Sequence, residues 1–191
     1  MVYIFCYVTP IKKRGVNTVL KKLIIGLVTA ISIFPCFAGN FYFGPGISLQ
    51  DTYAEDSSYR GVNPKFSFGF GQHFREFWYV GTEANASFGT VTLQTDGPNN
   101  LKTSNTLGLS VLPGIQVTRD TLAFTRFGLV NSYFNQPDKR EMGGQIGLGL
   151  ETHLTPSWEV RGEYTYSEYS NMINIGSPKT SAFTFGFVHK F

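Results

Sequence analysis

From residue 39 to the last residue, apolar and polar side chains alternate one by one in runs of about ten, separated by stretches rich in turn-forming residues. A period of two is that of a β-strand, whose successive side chains point to opposite faces. The last run shows it most clearly. Phe191, His189, Phe187, Phe185 and Phe183 fall on one face, and Lys190, Val188, Gly186, Thr184 and Ala182 on the other. Continued through the chain, the pattern predicts eight strands, at about 40–50, 63–74, 78–91, 105–118, 122–134, 144–154, 158–169 and 181–191. The fifth is the least regular. It places Phe127 and Leu129 outward and Arg126 inward, with a bulge expected where the alternation slips.

The two faces differ in kind. Phe66, Phe68 and Phe70 oppose Lys65, Ser67, Gly69, Gly71 and His73, and Ile146, Leu148 and Leu150 oppose Gly147, Gly149, Glu151 and His153. Charges therefore share a face with glycines, as in the crowded inside of a narrow barrel, and the apolar face is left to meet lipid. A soluble barrel would turn its apolar face inward. The expected fold is all-β: an eight-stranded antiparallel transmembrane β-barrel with up-and-down meander order.

Four longer polar segments, 51–62, 94–104, 135–143 and 170–179, alternate with short turns at 75–76, 119–120 and 155–157. Outer-membrane barrels have long extracellular loops and short periplasmic turns, so both ends of the barrel are expected in the periplasm. Trp78, Trp158, Tyr166 and Tyr169, at strand ends, are expected to form the interfacial girdles. The longer segments display Tyr53, Tyr59, Asn99, Lys139 and Arg140.

Ahead of the barrel, Lys12, Lys13, Arg14, Lys21 and Lys22 precede an apolar run from Leu23 to Phe34 and then Cys36-Phe37-Ala38. This is the order of a secretory signal peptide, and residues 1–38 are read as one, cleaved after Ala38. The run is shorter than the roughly 20 apolar residues of a spanning helix. A lipid anchor on Cys36 is the rival reading, opposed by the bulky Phe34 and Pro35 before it. A second apolar patch, Met1 to Val8, suggests that translation starts later, at Val16 or Val19.

Removing the leader changes the charge. The chain has 16 Lys plus Arg and 13 Asp plus Glu; five of the basic residues and none of the acids precede residue 39, which leaves 11 against 13, a formal charge of −2. The basic character belongs to the leader, so the barrel gives no reason to propose a nucleic-acid partner. Cys6 and Cys36 go with it, leaving a chain without thiols, suited to the oxidising periplasm.

The richest chemistry lies on the inward face, in Glu83, Arg126, Glu151, Arg161 and Glu163, with Glu159 and Lys65 nearer the ends. Such charges either line an ion path or pair across a lumen filled by side chains, and pairing is the preferred reading. No catalytic residue, cofactor site or metal site is expected. His73, His153 and His189 are scattered, and the Gly-x-Gly runs are strand glycines rather than phosphate loops.

The terminal Phe191, preceded by Phe187, Phe185 and Phe183, resembles the closing strand of bacterial outer-membrane barrels, which implies recognition by the barrel-assembly machinery. The segment from Gly147 to Tyr166 is similar to the penultimate hairpin of small eight-stranded barrels related to the outer-membrane protein A membrane domain and the opacity-type surface proteins. The likeness spans about residues 39–191. It implies the outer membrane of a Gram-negative bacterium, contact with outer-membrane lipid and lipopolysaccharide, and a structural or adhesion-like role through the loops, toward a host or surface ligand. Two alternatives stay open. One is a small ion or solute channel. The other is a lipid A-modifying enzyme, but the His-x-Ser pair of the deacylases is here His153-Leu154-Thr155, without the serine.

Overall fold

Nine hydrogen-bonded segments make one closed sheet, because strands without water at their edges must pair all the way round. The computed structural model describes residues 39–55, 57–75, 77–97, 101–135, 138–171 and 176–191. The expected leader, its cleavage site after Ala38, the alternative starts and Asn99 lie outside them.

The segments are β1 (Asn40–Ala54), β2 (Ser57–Phe74), β3 (Trp78–Phe88), β4 (Val91–Asp96), β5 (Thr103–Gln116), β6 (Thr121–Phe134), β7 (Lys139–Thr155), β8 (Trp158–Tyr169) and β9 (Lys179–Lys190). Sequence neighbours pair antiparallel, and β1 with β9 closes the ring. Both β3 and β4 pair with β2, so they are two parts of one stave, interrupted at Gly89 and Thr90. Gly89 has a φ of 59°, a left-handed conformation that glycine adopts without penalty. The result is an eight-stave antiparallel barrel in meander order, as the alternation predicts.

Three expectations about the polar segments need correction. Residues 51–54 and 57–62 are not a loop: β1 and β2 run on as a hairpin with Thr52 opposite Tyr59 and Tyr53 opposite Ser58. Likewise β4 extends to Asp96, and β7 begins at Lys139. These segments are polar because water surrounds them, and the backbone ladder continues regardless. A spanning strand needs about 9–11 residues, so strands of 17 or 18 residues stand well clear of the bilayer.

The fifth stave, β6, has no bulge toward β7, since every residue from Thr121 to Phe134 has a partner there. Its alternation looks irregular in the sequence because its inward positions Leu122, Phe124, Val130 and Phe134 are apolar too. Outward positions are exposed as lipid contact requires, with Leu148 at 66% and Phe185 at 51%.

Where β1 meets β9 the backbones lie close. Pro45 offers no N–H, and the paired register lapses between Phe43–His189 and Gly46–Gly186. A Cβ on Gly186 would sit 2.6 Å from the Pro45 carbonyl oxygen, so this seam accepts only glycine there.

Candidate functional site

Inside the barrel four of the large inward side chains face a glycine on a neighbouring strand. Arg126 lies opposite Gly147, Arg161 opposite Gly186, Glu83 opposite Gly69 and Glu163 opposite Gly149. The missing side chains supply the width that an eight-stave lumen otherwise lacks.

The five sequence-predicted inward residues meet in one network. Arg126, with 0% exposure, places Nη2 2.6 Å from Glu83 Oε1 and donates Nε to Glu163 Oε1. Arg161 donates Nε to Glu151 Oε2 at 2.7 Å and Nη1 to Glu83 Oε2. Glu83 thus bridges the two arginines and also accepts the Tyr42 hydroxyl at 2.9 Å. The Arg161 guanidinium stands over the rings of Tyr42 and Phe124 at 5.1 and 5.2 Å. Lys65 lies 3.5 Å from Glu163.

Lys190 extends the network toward the short-turn end, 2.5 Å from Glu159 Oε1 and 3.4 Å from Glu151 Oε1. Alternation places it inward, but sequence reasoning did not count it among the charges. With it, Glu83, Glu151, Glu159 and Glu163 balance Lys65, Arg126, Arg161 and Lys190, four against four. Burying ions away from water is tolerable only when each is paired, and every one of these has an oppositely charged partner, although Arg126 Nη1 and Glu159 Oε2 make no hydrogen bond among the described residues.

Neutral polar side chains form the next layer outward. Asn63 donates to Gln50 Oε1 at 3.0 Å, Gln50 donates to Thr103, Thr184 donates to Ser48 at 3.1 Å, and Thr52 and Thr180 share a hydrogen bond of 2.8 Å. Above it sits an apolar cap of Ala54, Tyr59, Leu101, Val130, Phe134 and Tyr169. Leu101 and Phe134 have 0% exposure, and the Phe134 and Tyr169 rings meet edge to face at 5.0 Å. Toward the short-turn end a second cluster, Tyr79, Leu112, Leu122 and Phe124, fills the other side of the lumen.

Two aromatic expectations change accordingly. Tyr169 is not an interfacial girdle residue: it is buried and shares a 2.8 Å hydrogen bond with Ser132. Tyr59 is not displayed by a loop but is buried in the cap. Leu101 carried no sequence signal, being one apolar residue in a stretch that reads as a loop.

The histidines are dispersed. His153 Nδ1 lies 2.5 Å from Glu159, His73 Nε2 lies 3.1 Å from Gln116 Oε1, and the His189 ring packs 4.8 Å from both Trp158 and Phe191. Thr155, at the serine position of a His-x-Ser pair, accepts the Trp158 backbone N–H at 3.1 Å and caps the turn.

At the opposite rim, β1, β2 and β4 form a three-stranded flap. Asp51 accepts two hydrogen bonds from Arg60, at 2.5 and 3.0 Å, and the interaction raises the guanidinium above its ordinary pKa. All six residues of β4 are exposed, Val91 and Leu93 among them.

A closed antiparallel barrel with an apolar outer belt and a paired ionic interior defines a membrane-spanning β-barrel. The chain belongs to the outer membrane protein beta-barrel domain family, whose profile matches residues 27–191. Among solved structures it is similar to Neisserial surface protein A, at 14% identity over 81% of this chain and 100% of that one, with a TM-score of 0.54. It is also similar to Ail, the attachment invasion locus protein of Yersinia pestis, at 11% identity over the same shares, with a TM-score of 0.53. Ail has also been crystallised with the heparin analogue sucrose octasulfate. No curated protein matches the chain in sequence.

Proposed function

We propose that this outer-membrane barrel is a non-catalytic surface protein of a Gram-negative bacterium, acting through its longer loops and the β1–β2–β4 flap, with the lumen serving only to hold the barrel rigid. The observation that carries this is the filled interior. Arg126, Leu101, Leu112 and Phe134 have no exposed surface, so solutes meet the rims and not a pore. On this reading the loops face outward, the short turns and both ends of the barrel face the periplasm, and the outer belt contacts phospholipid and lipopolysaccharide. The closing strand β9, with Phe183, Phe185 and Phe187 outward and Phe191 at its end, is the segment we assign to the assembly machinery.

The partner at the flap is a protein or host surface rather than a polyanion like the one bound to Ail. On the flap Arg60 is paired with Asp51, whereas Val91 and Leu93 offer exposed apolar surface.

Orientation is tested with single cysteines. Thr95→Cys is expected to react with a membrane-impermeant maleimide on intact cells, and Arg119→Cys in a short turn only after permeabilisation. Labelling in the reverse order would overturn the assignment of the flap to the cell surface.

A further inference from the structure

The side chains of the outer wall are not evenly bulky. On β6 the outward residues are the small Ala123 and Thr125, on β8 the outward position is Gly162, and bulky Leu148 and Leu150 stand on β7 between them. Trp78 and Ile115 bound the hollow on one side and Phe183 on the other. The register between β5 and β6 lapses beneath it, from Val111–Phe127 to Gly114–Phe124, because Pro113 has no N–H to give. Thr125 Oγ1 instead lies 3.3 Å from the Pro113 carbonyl. The groove is open to the outside and measures about 640 Å³, and a Cβ built on Gly162 would meet nothing within 4 Å. Sites that hold small organic molecules span about 300–1,000 Å³.

We infer that this groove seats an acyl chain of a phospholipid from the periplasmic leaflet. It is continuous with the lipid-facing belt that the family assignment establishes, so hydrocarbon is the medium it opens to. Most of its lining lies in the half of the wall toward the short turns, where Trp78 opens β3, Ile115 is the penultimate residue of β5 and Ala123 the third of β6, and it reaches past the middle of the wall at Phe183, the fifth residue of β9. The choice of leaflet rests on the orientation proposed above. A second copy related by a two-fold axis along the membrane normal would set groove against groove and leave the hollow unfilled, whereas a flexible chain fills it. An ordered chain here covers the stretch of wall where the β5–β6 ladder is interrupted.

The test is native mass spectrometry of the full-length protein extracted from its membrane in mild detergent. One phospholipid is expected to remain bound to the wild type. Filling the groove with Ala123→Phe or Gly162→Leu is expected to reduce that bound fraction at least tenfold, while Ile47→Phe on the opposite wall leaves it unchanged. Both groove variants point into lipid, and a retained heat-dependent gel shift shows that they fold. Equal retention in all variants, no retained lipid in the wild type, or a dimer abolished by the groove variants would each overturn the seat. Retained lipopolysaccharide lost in the groove variants would overturn the periplasmic-leaflet assignment. Cysteine labelling reports the orientation separately, so the two failures are distinguishable.

Discussion

Arg161→Ala is expected to lower the unfolding free energy of the lipid-embedded barrel by about 3–5 kcal/mol, the cost of removing one partner from a buried ion pair. The guanidinium holds Glu151 at 2.7 Å, reaches Glu83 and stacks over Tyr42. Truncation leaves four carboxylates facing three cations in a space walled in part by the Tyr42 and Phe124 rings, which offer no hydrogen-bond donor in place of the guanidinium beyond the Tyr42 hydroxyl already bound to Glu83. Urea titration followed by the fluorescence of Trp78 and Trp158 measures the change. Because the network is shared, Arg161→Ala combined with Glu151→Gln should destabilise less than the sum of the two single changes. A wild-type unfolding profile for Arg161→Ala would mean that the ionic network contributes nothing to the fold.

Phe134→Ala is expected to cost a similar amount, about 3–5 kcal/mol, for a different reason. Phe134 is fully buried between the polar layer and the rim, and its ring is the edge-to-face partner of Tyr169. Its removal opens a cavity under Leu101 and Tyr59, whose neighbours are anchored in strands and cannot close around the gap. The same urea titration should show a lower midpoint with an unchanged slope. Phe127→Ala on the same strand points outward into lipid and should change the midpoint far less.

Comparing the chain with its fold shows which signals survive in a sequence of this kind. Alternation between an apolar lipid face and a polar lumen face is clear in most of the strands that cross the bilayer, so β8 was legible to its end residues and the inward placement of Glu83, Arg126, Glu151, Arg161 and Glu163 followed from parity alone. Outside the bilayer the selection for apolar residues ends while the hydrogen-bond ladder continues. Residues 51–54, 57–62 and 94–96 consequently read as loops although they are strands. The cap was hidden for the opposite reason. Val130 and Phe134 are apolar residues on the inward face, which blurs the period of β6, and Leu101 arrives from a connection with no period at all. Lys190 joined the network diagonally from the strand beside Glu159, and Tyr42 from two strands away from Glu83, relations that no spacing along one strand encodes.

The most direct test of the filled-lumen account is single-channel recording from wild-type barrel refolded in detergent and inserted into planar bilayers. The sample should first be shown to be folded by its heated versus unheated gel shift. The account predicts no discrete conductance steps, since ions would have to displace the Arg126–Glu83–Arg161 bridge and pass the Phe134–Leu101 cap. Reproducible unitary steps from folded protein would contradict it and make the luminal charges a path instead of a strut.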